Sequence, residues 1–204
     1  MARKAGRSTE DTRRLLLDAA AAMVRTHGAA ATLDQIARHA GISKGGLVYH
    51  FASKDDLLLA LATDLLQRWR RAVEAARDPE DQDPGRLTRA YVRACLDPTV
   101  DEQRVRDDIG LTAQLMTSPD VSALVRADSE RWRSELHGDG LPGELLTLVV
   151  AAADGASVAP LWGAAEQSEV HARLQDQLIA LTYHRDARAG SAGDRATQPP
   201  EAGL

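Results

Sequence analysis

The residues best placed to do chemistry lie between positions 32 and 51, and the chemistry that they suit is contact with DNA. Ala37, Gly41 and Leu47 follow one another at four and six residues, between two short amphipathic stretches. A helix-turn-helix needs a small residue where its helices approach, and Ala37 supplies it. It also needs a residue that accepts a left-handed turn, which Gly41 does without steric cost. Ile36, Ile42 and Leu47 provide apolar side chains to fix the angle. The second helix then lies in a major groove while the first crosses the backbone. Ser43, Lys44, Gly45 and Gly46 open that second helix, facing base edges and phosphates. Tyr49, His50 and Lys54 follow at its far end, suited to hydrogen bonds and ion pairs with phosphate. Two adjacent glycines cost about 1 kcal/mol each relative to alanine in a helix, a cost that close approach to DNA explains. An ordinary helical hairpin with a basic surface shares the bare pattern.

The charge distribution favours the DNA reading. The 204-residue chain carries a net charge of −5, which by itself opposes nucleic-acid binding. Residues 1–54, however, hold nine Lys and Arg against four Asp and Glu, leaving a surplus of five positive charges. The remainder has 16 basic and 26 acidic residues, a surplus of ten negative charges. A basic head on an acidic body is expected where one end alone meets phosphate.

The elements that position these residues read as helices throughout. Hydrophobic residues make up 44% of the chain and aromatic residues only 3%, so the core must be built from Leu, Val and Ala, and the predicted fold class is all-α. Helical periodicity runs over residues 9–27, with Thr9 as the expected cap and Gly28 as the stop. Thr32 and Gln35 form a capping box for a second helix ending at Gly41. Ser43 caps a short third helix, and Ser53 caps a long fourth ending near Arg77. Further helices are expected at 86–96, 101–117 (with a break near Gly110), 119–137, 144–159 and 168–183, with Pro142 suiting a first helical position. The expected organisation is a helix-turn-helix domain at 1–52, a helical ligand-binding and dimerisation domain at 53–184, and a disordered tail at 185–204.

The text of the head goes further than its spacing. Thr12-Arg13 through Ala19-Ala20, Gly28, Thr32-Leu33, Ile36-Ala37, residues 40–45, residues 47–51 and Ser53-Lys54 closely resemble the DNA-binding domain of the tetracycline-repressor (TetR) family. The resemblance covers about the first quarter of the chain, and the run Tyr49-His50-Phe51-x-Ser53-Lys54 is highly specific. It implies an all-helical homodimer that binds a palindromic operator. The positions matching Thr32, Lys44, Tyr49, His50 and Lys54 contact DNA in the family, and those matching Gly45 and Gly46 lie close to bases. Val24 departs from the pattern, which has phenylalanine there; neighbouring packing is expected to absorb the difference.

The body is less informative, because the family varies there. Leu145, Leu148, Val149 and Ala152, with Leu174, Leu178 and Leu181, give apolar faces that suit either a dimer interface or an internal core. Trp69, Leu111, Leu115, Met116, Trp132 and Trp162 are the large apolar side chains expected to line a ligand pocket, each with plain core or surface as the alternative. Asp154 interrupts an apolar run, so it either sits on an exposed stripe or meets a cationic ligand, an arginine or a second subunit. Asp107 and Asp108 invite the same cation idea.

Other classes find little support. No nucleophile stands beside a general base in a recognisable motif, and no glycine-rich phosphate loop is present. The histidines lack metal-ligand spacing, so no enzyme activity, cofactor or metal is expected. Cys95 is the one cysteine and reads as a small buried residue in a reducing cytoplasm. Arg3, Lys4 and Arg7 precede no apolar stretch, which argues against a signal peptide. The longest apolar run, 145–153, falls short of the roughly 20 residues that a membrane span needs. The sequence therefore predicts a ligand-responsive repressor with double-stranded operator DNA, a small-molecule effector and its own second copy as partners. The alternatives are an activator, a regulator needing its ligand to bind DNA, or a small-molecule-binding or enzymatic domain retaining a helix-turn-helix.

Overall fold

A computed structural model describes residues 8–162 and 167–183, and every regular element among them is helical. Four helices build the head: α1 (Thr9–His27), α2 (Leu33–Ala40), α3 (Lys44–His50) and the first half of α4 (Lys54–Ala75). The body continues with α5 (Arg86–Cys95), α6 (Glu102–Leu115), α7 (Pro119–His137), α8 (Gly143–Ser157) and α9 (Gln167–Tyr183). The tail expected at 185–204 lies outside the described residues.

Capping chemistry sets most of these ends. α1 is capped by Ser8 and not by Thr9: the Ser8 hydroxyl accepts from the Asp11 N–H at 3.0 Å, and the Asp11 carboxylate accepts from the Ser8 N–H. This reciprocal pair needs an acid three residues on, which selects Ser8. Thr32 and Gln35 close the expected box on α2, and Ser53 caps α4. Pro142 sits just outside α8 as its cap, one position before the expected one. α6 runs unbroken through Gly110, where an added Cβ would meet nothing. α5 starts at Gly85, which has no side chain to cap it. Asp139, from the turn between α7 and α8, does so instead: its carboxylate accepts from the N–H groups of Leu87 and Thr88 at 3.1 and 2.7 Å. The orphan donors of the first turn are thus satisfied from across the body.

Two apolar clusters organise the interior. The first joins Leu16, Ala20, Ile36, Leu47, Phe51, Leu57 and Leu61 of the head with Leu111 and Leu115 of α6 and Val121 of α7. Val24 is buried within it, so packing closes over the smaller side chain. The second joins Val92 and Leu96 with Val149 and Ala153 of α8 and Leu178 of α9. The apolar residues of α8 and α9 therefore differ in burial. Val149 and Leu178 are internal core, whereas Leu148 and Leu181 point outward, Leu148 with 58% of its surface exposed. The longer stretch Gly143–Leu161 meets the length and mean hydropathy of a membrane-crossing helix, a test that core helices also pass. The apolar run ends at Asp154, but the small residues beyond it extend the window. Leu146, Val149 and Ala153 are buried.

Polar side chains tie the far end of the body. Arg89 is fully buried and makes two 2.6 Å hydrogen bonds to the carboxylate of Asp81, itself 3% exposed. Its remaining donors reach Pro84 O, Asp83 O and Thr182 Oγ1, and its guanidinium lies over the Tyr183 ring. Every nitrogen of the buried cation has a partner, which is what makes such burial tolerable.

Candidate functional site

The turn between α2 and α3 has the geometry that its residues dictate. Gly41 adopts φ 66° and ψ 32°, and the N–H of Ile42 donates to Ala37 O at 3.0 Å, a left-handed glycine cap. Ala37, Ile36 and Leu47 are buried where the helices meet. Ser43 Oγ then accepts from the Gly46 N–H at 3.1 Å, capping α3.

These anchors leave one side of α3 facing outward. Ser43, Lys44, Gly45, Val48 and Tyr49 are exposed there, Tyr49 to 82%, and Thr32 is exposed at the start of α2. The two glycines part company. A Cβ on Gly46 would fall 2.9 Å from Ile42 Cγ2 and 3.2 Å from Ser43 Oγ, so packing inside the head accounts for that glycine. A Cβ on Gly45 would meet nothing within 4 Å, so nothing inside the molecule requires it. His50 is half-buried, edge-on to Tyr49. Lys54 turns back to donate to Ala29 O at 2.6 Å, and Lys44 pairs with Asp34 at 3.2 Å. Arg13, part of the family resemblance but given no contact role by it, lies over the Phe51 ring at 4.6 Å and brings its charge to the end of α3.

Of the six large apolar residues expected to line a pocket, and Asp154 beside them, the structure brings only some together. Leu111 and Leu115 belong to the head's core, and Met116 is exposed after α6. Trp162 ends the turn after α8, and its side chain lies outside the described residues. Trp69 of α4, Trp132 of α7 and Asp154 of α8 do come together, around a residue that the sequence did not flag. Tyr91 of α5 packs edge-to-face against both indoles, at 5.5 and 5.6 Å between centroids, and its hydroxyl donates to Asp154 Oδ1 at 2.7 Å. The side chain of Asp154 itself is exposed. Cys95 Sγ lies 3.9 Å from the same oxygen. Burial raises the pKa of both Tyr91 and Cys95, and the Asp154 carboxylate adds to the effect on each. The indole Nε1–H of Trp132 is buried without an acceptor. Arg70 covers one face of Trp132 at 4.5 Å and pairs with Asp128 and Glu135. Asp108 pairs with Arg25 of the head at 2.9 Å, and Asp107 takes a hydrogen bond from Gln103. Two surface depressions of about 400 and 340 Å³ lie around residues 74–86 and 138–140, and neither is lined by Trp69, Leu111, Leu115, Met116, Trp132 or Asp154.

A helix-turn-helix whose second helix leaves one face open, carried on an all-helical body, is the architecture of a DNA-binding transcriptional regulator. Residues 16–61 match the model of bacterial regulatory proteins of the tetR family, and residues 85–183 match that of the tetracyclin repressor-like C-terminal domain. The chain belongs to the TetR family of transcriptional regulators. It is 33% identical over 111 residues to the HTH-type transcriptional regulator BetI of Stenotrophomonas maltophilia, an alignment covering 52% of this chain and 55% of that one. Across the first curated relatives that it matches, the chain spans between 29% and 63% of their lengths. A transcriptional regulator from Rhodococcus sp. RHA1 shares the fold at 22% identity, with TM-score 0.64 over 83% of this chain and 95% of that one. The multidrug binding protein EbrR, solved in complex with malachite green, does so at 23% identity and TM-score 0.64, over 83% and 97%.

Proposed function

We propose that this protein is a ligand-responsive transcriptional repressor, which binds a palindromic operator as a homodimer and leaves it when a small-molecule effector binds. The observation that carries the reading is the outer face of α3, where Ser43, Lys44 and Tyr49 surround a glycine that nothing inside the protein requires. Thr32, Gly46, His50 and Lys54 flank that face and complete the DNA-contacting set. The exposed side chains of Leu148, Val170 and Leu181 on α8 and α9 support pairing of two copies through these helices. A two-fold dimer sets its recognition helices about 34 Å apart, one turn of DNA.

The effector in this reading is an organic cation. Trp69, Tyr91 and Trp132 offer aromatic surface, and Asp154 has a carboxylate oxygen beyond the one that Tyr91 engages. A cation is attracted by both. α6 carries the signal: Arg106 holds Pro160 O after α8 at 2.8 Å, Asp108 holds Arg25, and Leu111 and Leu115 end in the head's core. An effector acts only through different affinities for two dimer geometries.

The test is an operator, selected from random duplexes by the purified protein, titrated with and without malachite green as the cationic probe. The dye is expected to weaken operator binding, and Asp154→Asn to blunt that response while leaving dye-free operator affinity unchanged. Dye that binds the protein tightly yet leaves operator affinity as it was overturns the release mechanism, and dye that fails to bind overturns the cation.

A further inference from the structure

Asp34 stands in the first turn of α2, and its carboxylate meets Lys44 Nζ, at the start of α3, at 3.2 Å. The two side chains are 56% and 61% exposed, so the pair lies open to solvent, as Gly45 and Tyr49 of α3 do. Capping does not account for this acid, because Thr32 and Gln35 close the N-terminal box of α2 without it. The other acids of the first three helices and of the first half of α4 are placed differently with respect to α3. Asp11 and Asp56 serve caps, Asp18 and Asp64 pair with Arg14, and Glu10 and Asp55 lie in the first turns of α1 and α4. One carboxylate has thus been set against the lysine that opens the recognition helix.

Non-specific binding to DNA is governed by how many phosphates the protein neutralises, and its salt dependence counts them. A lysine paired with a carboxylate adds less to that count, because it must exchange one anionic partner for another. A base edge in the major groove is a different competitor, since guanine O6 and N7 accept directly from lysine. We propose that Asp34 is a specificity-determining residue: it neutralises Lys44 toward phosphate and releases it only where an operator base offers a better acceptor. The carboxylate lowers affinity for DNA in general and leaves affinity for the operator largely intact, so discrimination rises. This rests on the assignment of α3 as the DNA-contacting helix.

The experiment follows fluorescence polarisation of a labelled random-sequence duplex across a salt series, for wild type, Asp34→Asn, Lys44→Gln and the double variant. Asp34→Asn is expected to bind the random duplex several-fold more tightly and to steepen the slope of log K against log salt by about 0.9, the value for one further phosphate. Lys44→Gln leaves the Asp34 carboxylate without its partner, so it is expected to weaken random-duplex binding, and in the double variant it abolishes the gain made by Asp34→Asn. On the selected operator the gain is smaller, so the ratio of operator to random affinity falls. Equal slopes for wild type and Asp34→Asn overturn the proposal, as does an equal gain on both duplexes. A change in thermal stability alone, with binding unmoved, marks Asp34 as a helix-dipole residue and overturns it too. A wild-type chain that binds neither duplex at low salt overturns the DNA-contacting assignment of α3 instead, which keeps the two failures apart.

Discussion

Replacing Gly45 with alanine separates what the fold wants from what DNA contact wants. In α3 an alanine Cβ at this position meets nothing within 4 Å, and the backbone is not in the left-handed region. Alanine is therefore favoured within the helix by about 0.5–1 kcal/mol over glycine. For a chain of this size that raises the melting temperature by roughly 1–4 °C. The same methyl projects from the face that the proposed function sets against the groove. If it keeps the backbone from closing on the bases, operator affinity falls by about tenfold or more, which is about 1.4 kcal/mol. Gly46→Ala is the internal control. Its Cβ presses on Ile42 Cγ2 and Ser43 Oγ, so the helical gain is offset and the melting temperature stays level or drops. Differential scanning calorimetry and operator titration on the same preparations read both quantities. A Gly45→Ala protein that is more stable and binds operator as tightly as wild type would falsify the argument that DNA contact put glycine there.

Two further outcomes follow from the body. Asp81→Ala leaves the guanidinium of Arg89 buried and unpaired, which is expected to cost about 3–5 kcal/mol in denaturant titration. The hydrogen bonds from Arg89 hold the Asp81 carboxyl below its usual pKa, so its contribution to stability is full above the ordinary carboxylate range and is lost as the pH falls through the lowered value. Wild-type stability should accordingly drop below about pH 4, and the variant should drop less; parallel pH profiles would remove Arg89 as the cause. Cys95, whose thiol burial pushes up, is expected to react with thiol reagents at pH 8 far more slowly than in the unfolded chain; reaction at the free-thiol rate would mean that the site around Asp154 is open.

Local chemistry made the fold legible. Gly28, Gly41, Ser43 and Ser53 act on backbone groups within four residues, so their consequences can be read without knowing what lies across the molecule. The misjudged cap at Ser8 was a contest between neighbours, decided by a carboxylate three residues on. The outer face of α3 was legible for the same reason, since the spacing of Ile36, Ala37, Ile42 and Leu47 fixes which side is left over. The body was not. The spacing of Leu111 and Leu115 says that they are buried, but not that they are buried in the head. Tyr91 looks like one more residue of an amphipathic helix until α8 brings Asp154 to its hydroxyl from 63 positions away. Likewise Asp139 caps a helix that begins more than fifty residues before it, and no local pattern encodes that.

The entry of α6 into the head's core has a consequence for how such proteins can be recombined. A graft that exchanged only residues 8–52 for those of a relative would hand Leu111, Leu115 and Val121 a foreign set of neighbours. The interchangeable unit is therefore not a continuous piece of chain. It is the first four helices together with the end of α6 and the start of α7, which have to travel with them.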